Sequence, residues 1–265
     1  MSKLLTTTEA ARIAGVTPSS IKRWADQSLL PCVKTPGGHR RIEASALDRF
    51  LREAIPTDDE TPSQTQELLE LMVSDSHHGI VSHLFGLMHD LGSWCQVADT
   101  VGPVLTLMGE RWHSGKLTVA QEHGASHALS KALSFIGNSL PEQQKGKRCL
   151  LAVVEGDDHD LGLRLVDLCL RARHWKPIWL GRDTPSRVLI DRITSGNTDM
   201  VAMSASRYSV DAMKLRTVAE RVAETCRRTG TRLVLGGEGS WPHGLRPAEH
   251  ITSFTRFDEL LVKMG

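Results

Sequence analysis

The sequence predicts a chain in three parts: a winged helix-turn-helix head, a four-helix bundle, and a parallel, doubly wound α/β domain. Three observations predict it. Basic charge is concentrated before Pro56, where nine Lys and Arg face five Asp and Glu; that balance of +4 leaves −3 for the remainder of a chain whose formal net charge is +1. Between Gln66 and about Gln143, apolar residues recur at helical spacing with little β-branched alternation. From Cys149 onward, short apolar runs alternate with helical patterns, the signature of a parallel sheet. The expected divisions are residues 1–56 for the head, 57–65 for a linker, 66–145 for the bundle and 146–265 for the α/β domain.

Composition narrows the function classes. A chain of 265 residues with 40% apolar content can bury cores of ordinary size. No apolar segment follows Met1-Ser-Lys and no run approaches bilayer length, so a cytoplasmic protein with no membrane partner is expected. The five cysteines are scattered and never form C-x-x-C, which predicts reduced thiols and not a disulfide frame.

In the head, Leu4 to Ala14 reads as a short helix after a Thr cap, ended by Gly15-Val16. Thr17-Pro18 then restarts a helix, with Thr as cap and Pro in the first turn. Two helices joined by so short a turn make a helix-turn-helix, and the second exposes Ser19, Ser20, Lys22 and Arg23 to a major groove. Val33 to Ile42 forms two extended pieces around Pro36-Gly37-Gly38, a basic wing carrying Lys34, His39, Arg40 and Arg41. Contacts from such groups go mostly to phosphate, which positions the head on operator DNA. Pro56 to Gln64, acidic and bracketed by prolines, reads as linker.

The bundle contains one more specific segment, Gly109 to His123. Ser114-Gly115-Lys116 breaks a helix, and Thr118 with Gln121 three residues on predicts a capping box for its successor. Trp112 and His113 then end one helix while Glu122 and His123 project from the first turn of the next, so all four converge near one break. His77, His78, His83 and His89 are spread around their helix without ligand spacing and carry no metal assignment.

In the tail, strands are expected at Cys149–Val154, Pro177–Leu180, Met200–Met203 and Arg232–Leu235, with helices at Leu163–Arg173, Pro185–Thr194 and Ser209–Thr229. Ligands of such sheets bind beyond the carboxyl ends of the strands. Glu155 to Gly162, Ser204-Ala205-Ser206 and Gly236-Gly237 all fall there. The first loop is not G-x-G-x-x-G, which argues against a nicotinamide or flavin dinucleotide. No nucleophile and base pair is found, so the chain is not expected to be an enzyme.

These motifs carry a resemblance. The segment G-G-H-R-R-I resembles the wing of the MerR family of transcription factors. Asp157-x-His159-x-x-Gly162, Ser204-x-Ser206 and Gly236-Gly237 resemble the cobalamin-binding signature D-x-H-x-x-G, S-x-L, G-G, with Ser206 in place of the apolar residue. Trp112, Glu122 and His123 resemble the W-x9-E-H signature of the CarH and LitR group of adenosylcobalamin-dependent photoreceptor repressors, which have the same order of head, bundle and sheet.

The resemblance implies a MerR-type head, a bundle capping the upper face of a corrin, and a Rossmann-like cobalamin-binding domain. It implies that His159 is the lower cobalt ligand with Asp157 on its other nitrogen, and that Gly162, Ser204, Ser206, Gly236 and Gly237 line the groove for the nucleotide tail. Glu155 is expected beside that groove, and Asp158 and Asp160 on the solvated surface. On the upper face it implies Trp112 by the adenosyl group, Glu122 and His123 holding the cap, and His113 replacing adenosyl on cobalt after photolysis.

The implied function is a light-responsive repressor that binds adenosylcobalamin in the dark, assembles as a dimer or tetramer on operator DNA, keeps RNA polymerase from the promoter indirectly, and lets go after photolysis of the Co–C bond. A light-independent cobalamin-binding regulator and a corrinoid methyl carrier are the competing readings.

Overall fold

The structure is a computed structural model that describes residues 4–14, 18, 21, 22, 25, 30–35, 37–47, 63–141, 145–207 and 211–264. It divides into two compact units, Met1–Ser63 and Gln64–Gly265.

In the first unit, β1 (Leu4–Thr6), α1 (Thr7–Ala14), β2 (Val33–Lys34) and β3 (Arg40–Glu43) build a small antiparallel sheet of order β1-β3-β2. Leu4 to Thr6 is therefore a strand where a helix was expected. The reason is a partner distant in sequence: Leu5 pairs with Ile42 of the wing, and both are buried with Ala10, Ala11, Ile21, Leu30 and Leu47. The helix begins where Thr6 can cap it. Glu9 N–H donates to Thr6 Oγ1 at 3.2 Å and Thr6 N–H to Glu9 Oε2 at 2.8 Å, a reciprocal capping box. The wing turn closes through Gly38, at φ 78°, whose N–H donates to the Thr35 carbonyl at 2.8 Å.

In the second unit, α2 (Gln64–Val73), α3 (His77–Leu91), α4 (Trp94–His113) and α5 (Val119–Ser139) form the bundle, α2 starting inside the stretch read as linker. A five-stranded parallel sheet follows, of order β5-β4-β6-β7-β8: β4 (Arg148–Val154), β5 (Lys176–Thr184), β6 (Met200–Ser204), β7 (Arg232–Gly236) and β8 (Ala248–His250). The connecting helices are α6 (Leu161–Ala172), α7 (Ser186–Thr194) and α8 (Ala212–Thr229), and α9 (Phe254–Met264) closes the fold. β8 and α9 have no counterpart in the sequence reading, and β5 runs well beyond Leu180.

Alternation along β4 decides which layer lies on which face. Cys149, Leu151 and Val153 enter a core shared with the bundle, α6 and α9, while Leu150, Ala152 and Val154 enter a second core with α7 and α8. The bundle therefore packs on one face of the domain through α6, and both faces of the central strands are covered, as a parallel sheet requires. The Asp99 carboxylate of α4 accepts from Phe254 N–H at 2.7 Å and from Thr255 N–H at 2.8 Å, holding the start of α9 from another helix. Arg173, just past α6, makes a two-point contact with Asp258 of α9, with Nη2 to Oδ2 at 2.6 Å. Among the described residues no helix is long and apolar enough to cross a membrane.

Candidate functional site

β4 is apolar and buried from Cys149 to Val154, then empties at the carboxyl edge of the sheet into Glu155-Gly156-Asp157-Asp158-His159. Asp157 N–H donates to the Val154 carbonyl at 3.1 Å, and the turn swings the Asp157 side chain inward. That side chain is only 1% exposed, against 63% for His159. His159 places Nδ1 at 2.8 Å from Asp157 Oδ1 and donates its backbone N–H to the same oxygen at 3.0 Å. The other carboxylate oxygen accepts the Ser206 N–H at 2.6 Å, and the Ser206 hydroxyl donates to Oδ1 at 3.3 Å.

The electrostatics follow from these bonds. Burial pushes the Asp157 carboxyl up, but the His159 side chain, the Ser206 N–H and the His159 N–H together outweigh it and bring it down to about 2. The hydrogen bond to Asp157 raises His159 above its usual value against the opposing effect of burial, and the charges of Asp157, Glu122 and Asp158 add to the rise. With Nδ1 turned to a carboxylate, Nε2 is the nitrogen through which this exposed ring can ligate a metal, and the carboxylate increases its basicity. The donor set would hold a metal through one imidazole.

Ser206 is thus more than a polar substitute in a groove wall: it holds the carboxylate that holds the histidine. Asp160, expected in solvent, is instead 12% exposed and paired with Arg164 at 2.9 Å and Arg182 at 3.8 Å. Asp158 and Glu155 are exposed.

Beyond β6 and β7 the backbone itself closes in. A Cβ on Gly237, which sits at φ 81°, would collide with the Ala205 carbonyl, and one on Gly239 would lie 2.6 Å from Ala205 Cβ. Ser204 Oγ would be 3.2 Å from a Cβ at Gly237. Gly162, in the first turn of α6, and Gly236 are under less pressure: a Cβ at Gly162 meets open space, and one at Gly236 meets only carbonyls at 3.9 Å. The required small residues are therefore Gly237 and Gly239, and the second escaped the sequence reading. So did Trp241, buried beneath this loop with its indole N–H on the Gly236 carbonyl at 2.9 Å.

The bundle contributes the α4–α5 break. Thr118 and Gln121 form the anticipated capping box, with Gln121 N–H to Thr118 Oγ1 at 3.2 Å and Thr118 N–H to Gln121 Oε1 at 2.9 Å. Trp112 is 40% exposed, not part of the bundle core, and its ring centroid is 6.0 Å from that of His113 in an edge arrangement. His123 Nε2 lies 3.5 Å from Glu122 Oε2, and Ser126, which the sequence reading passed over, donates to Glu122 Oε1 at 2.8 Å.

In the head, Lys22, Lys34 and His39 are exposed and Arg40 and Arg41 half-buried. Ser19, Ser20 and Arg23 lie outside the described residues.

Comparison with known proteins agrees with this division. A family model described as a helix-turn-helix domain matches residues 4–54, and two described as B12 binding domains match residues 97–136 and 147–245. The chain is 32% identical over 141 residues to the HTH-type transcriptional repressor CarA of Myxococcus xanthus, covering 53% of this chain and 46% of that protein. It is 28% identical over 133 residues to the dimethylamine corrinoid protein of Methanosarcina barkeri, covering 49% of this chain and 62% of that one. The chain thus spans about half the length of the curated relatives it matches. The monomethylamine corrinoid protein of Methanosarcina barkeri shares the fold, with a TM-score of 0.58 at 16% identity over 76% of this chain and 98% of that one. The chain has an N-terminal helix-turn-helix domain, a helical bundle and a C-terminal Rossmann-like B12-binding domain.

Proposed function

We propose that this chain, which joins a helix-turn-helix head to a bundle and a B12-binding sheet, is a light-responsive transcriptional repressor. On this reading it binds adenosylcobalamin in the dark, oligomerises on operator DNA and releases it after photolysis. The observation that carries the reading is that one chain joins a helix-turn-helix head to a B12-binding sheet whose loop presents an exposed His159 held by buried Asp157, and to a bundle whose α4–α5 break leaves Trp112 exposed. When bound, adenosylcobalamin supplies a cobalt–carbon bond that light cleaves.

The chain's own residues supply the rest. His159 would hold the cobalt through Nε2, its ring fixed by Asp157, which Ser206 holds in turn. Gly162, Ser204 and Gly236 would leave room for the nucleotide tail, while Gly237 lets the Ala205 carbonyl close over the loop beside it. Trp112 would cover the adenosyl group, Glu122 and His123 would hold the cap, and His113 would be the residue to take the place that the adenosyl group leaves. Physically this is a two-state equilibrium biased by contacts that exist only while the adenosyl group is present. Assembly into a dimer or tetramer links several weak heads, so their joint grip exceeds that of one and excludes RNA polymerase from the promoter without contacting it.

A corrinoid methyl carrier is favoured by the similarity of the bundle and sheet to the dimethylamine corrinoid protein. The helix-turn-helix head and a bulky Trp112 on the face that a methyl carrier must open to its partners argue for the regulator instead. A regulator that ignores light shares every residue above and separates only by experiment.

The test is to load the full chain with adenosylcobalamin in darkness and record absorbance, assembly size and binding to a DNA fragment from upstream of its own gene, before and after green light. The reading expects all three to change together. A spectral change with assembly and DNA affinity unaltered would leave a B12-binding regulator without a light switch. Equal DNA binding with methylcobalamin would remove the role given to the adenosyl group.

A further inference from the structure

We propose that Asp183 is the positioning residue of the His159 loop: it grips the Gly156–Asp157 peptide from both ends and thereby sets where the imidazole is presented. The inference deepens the cobalamin reading, since the target of that imidazole is cobalt. Nothing in the spacing of the D-x-H-x-x-G motif points to it, because Asp183 belongs to a different strand.

The register of β4 against β5 is irregular. Between the partner pairs Leu151–Trp179 and Val154–Thr184, β4 advances three residues while β5 advances five. Two extra residues on β5 bulge out of the ladder, and a bulge re-aims the side chains it carries. The chain bends at Gly181, φ 114°, and again at Asp183, φ 48°. Thr184, buried, pins the bend by donating its hydroxyl to the Gly181 carbonyl at 3.0 Å. Left-handed backbone is costly for most side chains, and Asp and Asn are the residues besides glycine that adopt it routinely.

What the bend accomplishes is visible in its two hydrogen bonds. Asp183 Oδ1 accepts the Gly156 N–H at 2.7 Å, and Asp183 N–H donates to the Asp157 carbonyl at 3.2 Å. Gly156 is itself at φ 86°, a conformation glycine adopts freely, so the position of the peptide entering Asp157 depends on a hydrogen-bond partner. Past Val154 no sheet ladder remains to supply one. The Asp157 carboxylate is fixed by Ser206 from the β6 side, and the Asp157 backbone is fixed by Asp183 from the β5 side. His159, two residues on, inherits its position from both.

Two variants of the full chain test this, Asp183→Ala and Asp183→Asn, with the histidines labelled with nitrogen-15. Each is loaded with hydroxocobalamin and reduced to the Co(II) form, whose electron paramagnetic resonance spectrum reports whether a labelled histidine nitrogen sits on cobalt. Asp183→Ala is expected to lose the labelled pattern from most of the bound cofactor and to bind it about tenfold more weakly. Asp183→Asn keeps an amide oxygen for the Gly156 N–H and tolerates the left-handed backbone, so it is expected to restore both.

In the cofactor-free protein, amide exchange at Gly156–His159 is expected to quicken about tenfold in Asp183→Ala, while amides in the middle of α6 exchange as before. Wild-type ligation and exchange in Asp183→Ala would overturn the positioning role. A wild-type spectrum without the labelled pattern would overturn the lower-ligand reading and the cobalt-directed part of this proposal, and the exchange comparison would still decide whether Asp183 fixes the loop.

Discussion

Asp157 Oδ1 stands 2.8 Å from His159 Nδ1, two residues away on one loop, and Asp157 is buried while the ring is exposed. The carboxylate therefore acts as an anchor from below, and its loss frees the ring without removing it. Asp157→Ala is expected to weaken hydroxocobalamin binding by about 10- to 100-fold. His159→Ala should abolish the spectrum of a histidine-ligated corrinoid at any affinity. An absorbance titration reads both. Affinity within twofold of wild type in Asp157→Ala would remove the carboxylate from the ligand system.

Asp99 ties the bundle to the last helix of the sheet domain, accepting two backbone N–H groups and the Thr255 hydroxyl at 2.6 Å. It does the work of an N-cap from a distance. Asp99→Ala is expected to cost about 1–2 kcal/mol, the range for losing a cap. Thermal unfolding measures it, and faster exchange confined to the first turn of α9 would locate it.

Asp258 gives the stability a pH dependence. Its hydrogen bonds from Arg173, opposed by burial, hold its carboxyl below the usual carboxylate range. A depressed folded-state value means that the contribution is complete above the unfolded carboxylate pKa and is lost as pH falls through the lower folded value. Denaturant unfolding of Asp258→Asn is expected to show a deficit of about 1 kcal/mol at pH 7, the upper end for a partly exposed pair, that closes as pH falls below the ordinary carboxylate range. A deficit constant across that window would assign the loss to packing.

Lys22 and Lys34 are exposed on the head. If they meet phosphate, Lys22→Ala and Lys34→Ala should each make the slope of log affinity against log salt shallower by about 0.9, by similar amounts on any DNA sequence. A loss restricted to one sequence would instead place the residue against a base edge.

What was legible in the sequence was local. The Thr118–Gln121 capping box spans three residues and the Asp157–His159 pair two, so spacing alone carries both. The alternation of strands and helices from Cys149 to Leu235 likewise follows from composition along the chain. Ser206 acts on Asp157 across 49 residues, and its meaning depends on β6 lying beside β4, which spacing does not encode. Leu4 to Thr6 looked helical because its partner strand is the distant wing. β8 was hidden because Ala248-Glu-His250 carries no apolar signal, and its place is set by backbone pairing with β7. Asp99 and Thr255, 156 residues apart, are the extreme case.

The bulge in β5 also bears on the solubility of the fold. β5 is an outermost strand of the sheet, nine residues long and apolar over Ile178-Trp179-Leu180, which is the kind of open edge on which a foreign strand can add. Beyond Leu180, Gly181 and Asp183 turn out of extended geometry, and charged Arg182 stands between them. An incoming chain would find a ladder interrupted halfway along. The irregularity that aims a carboxylate inward at Gly156 thus also roughens the outer margin of the sheet, and straightening it would be expected to increase aggregation as well as loosen the loop.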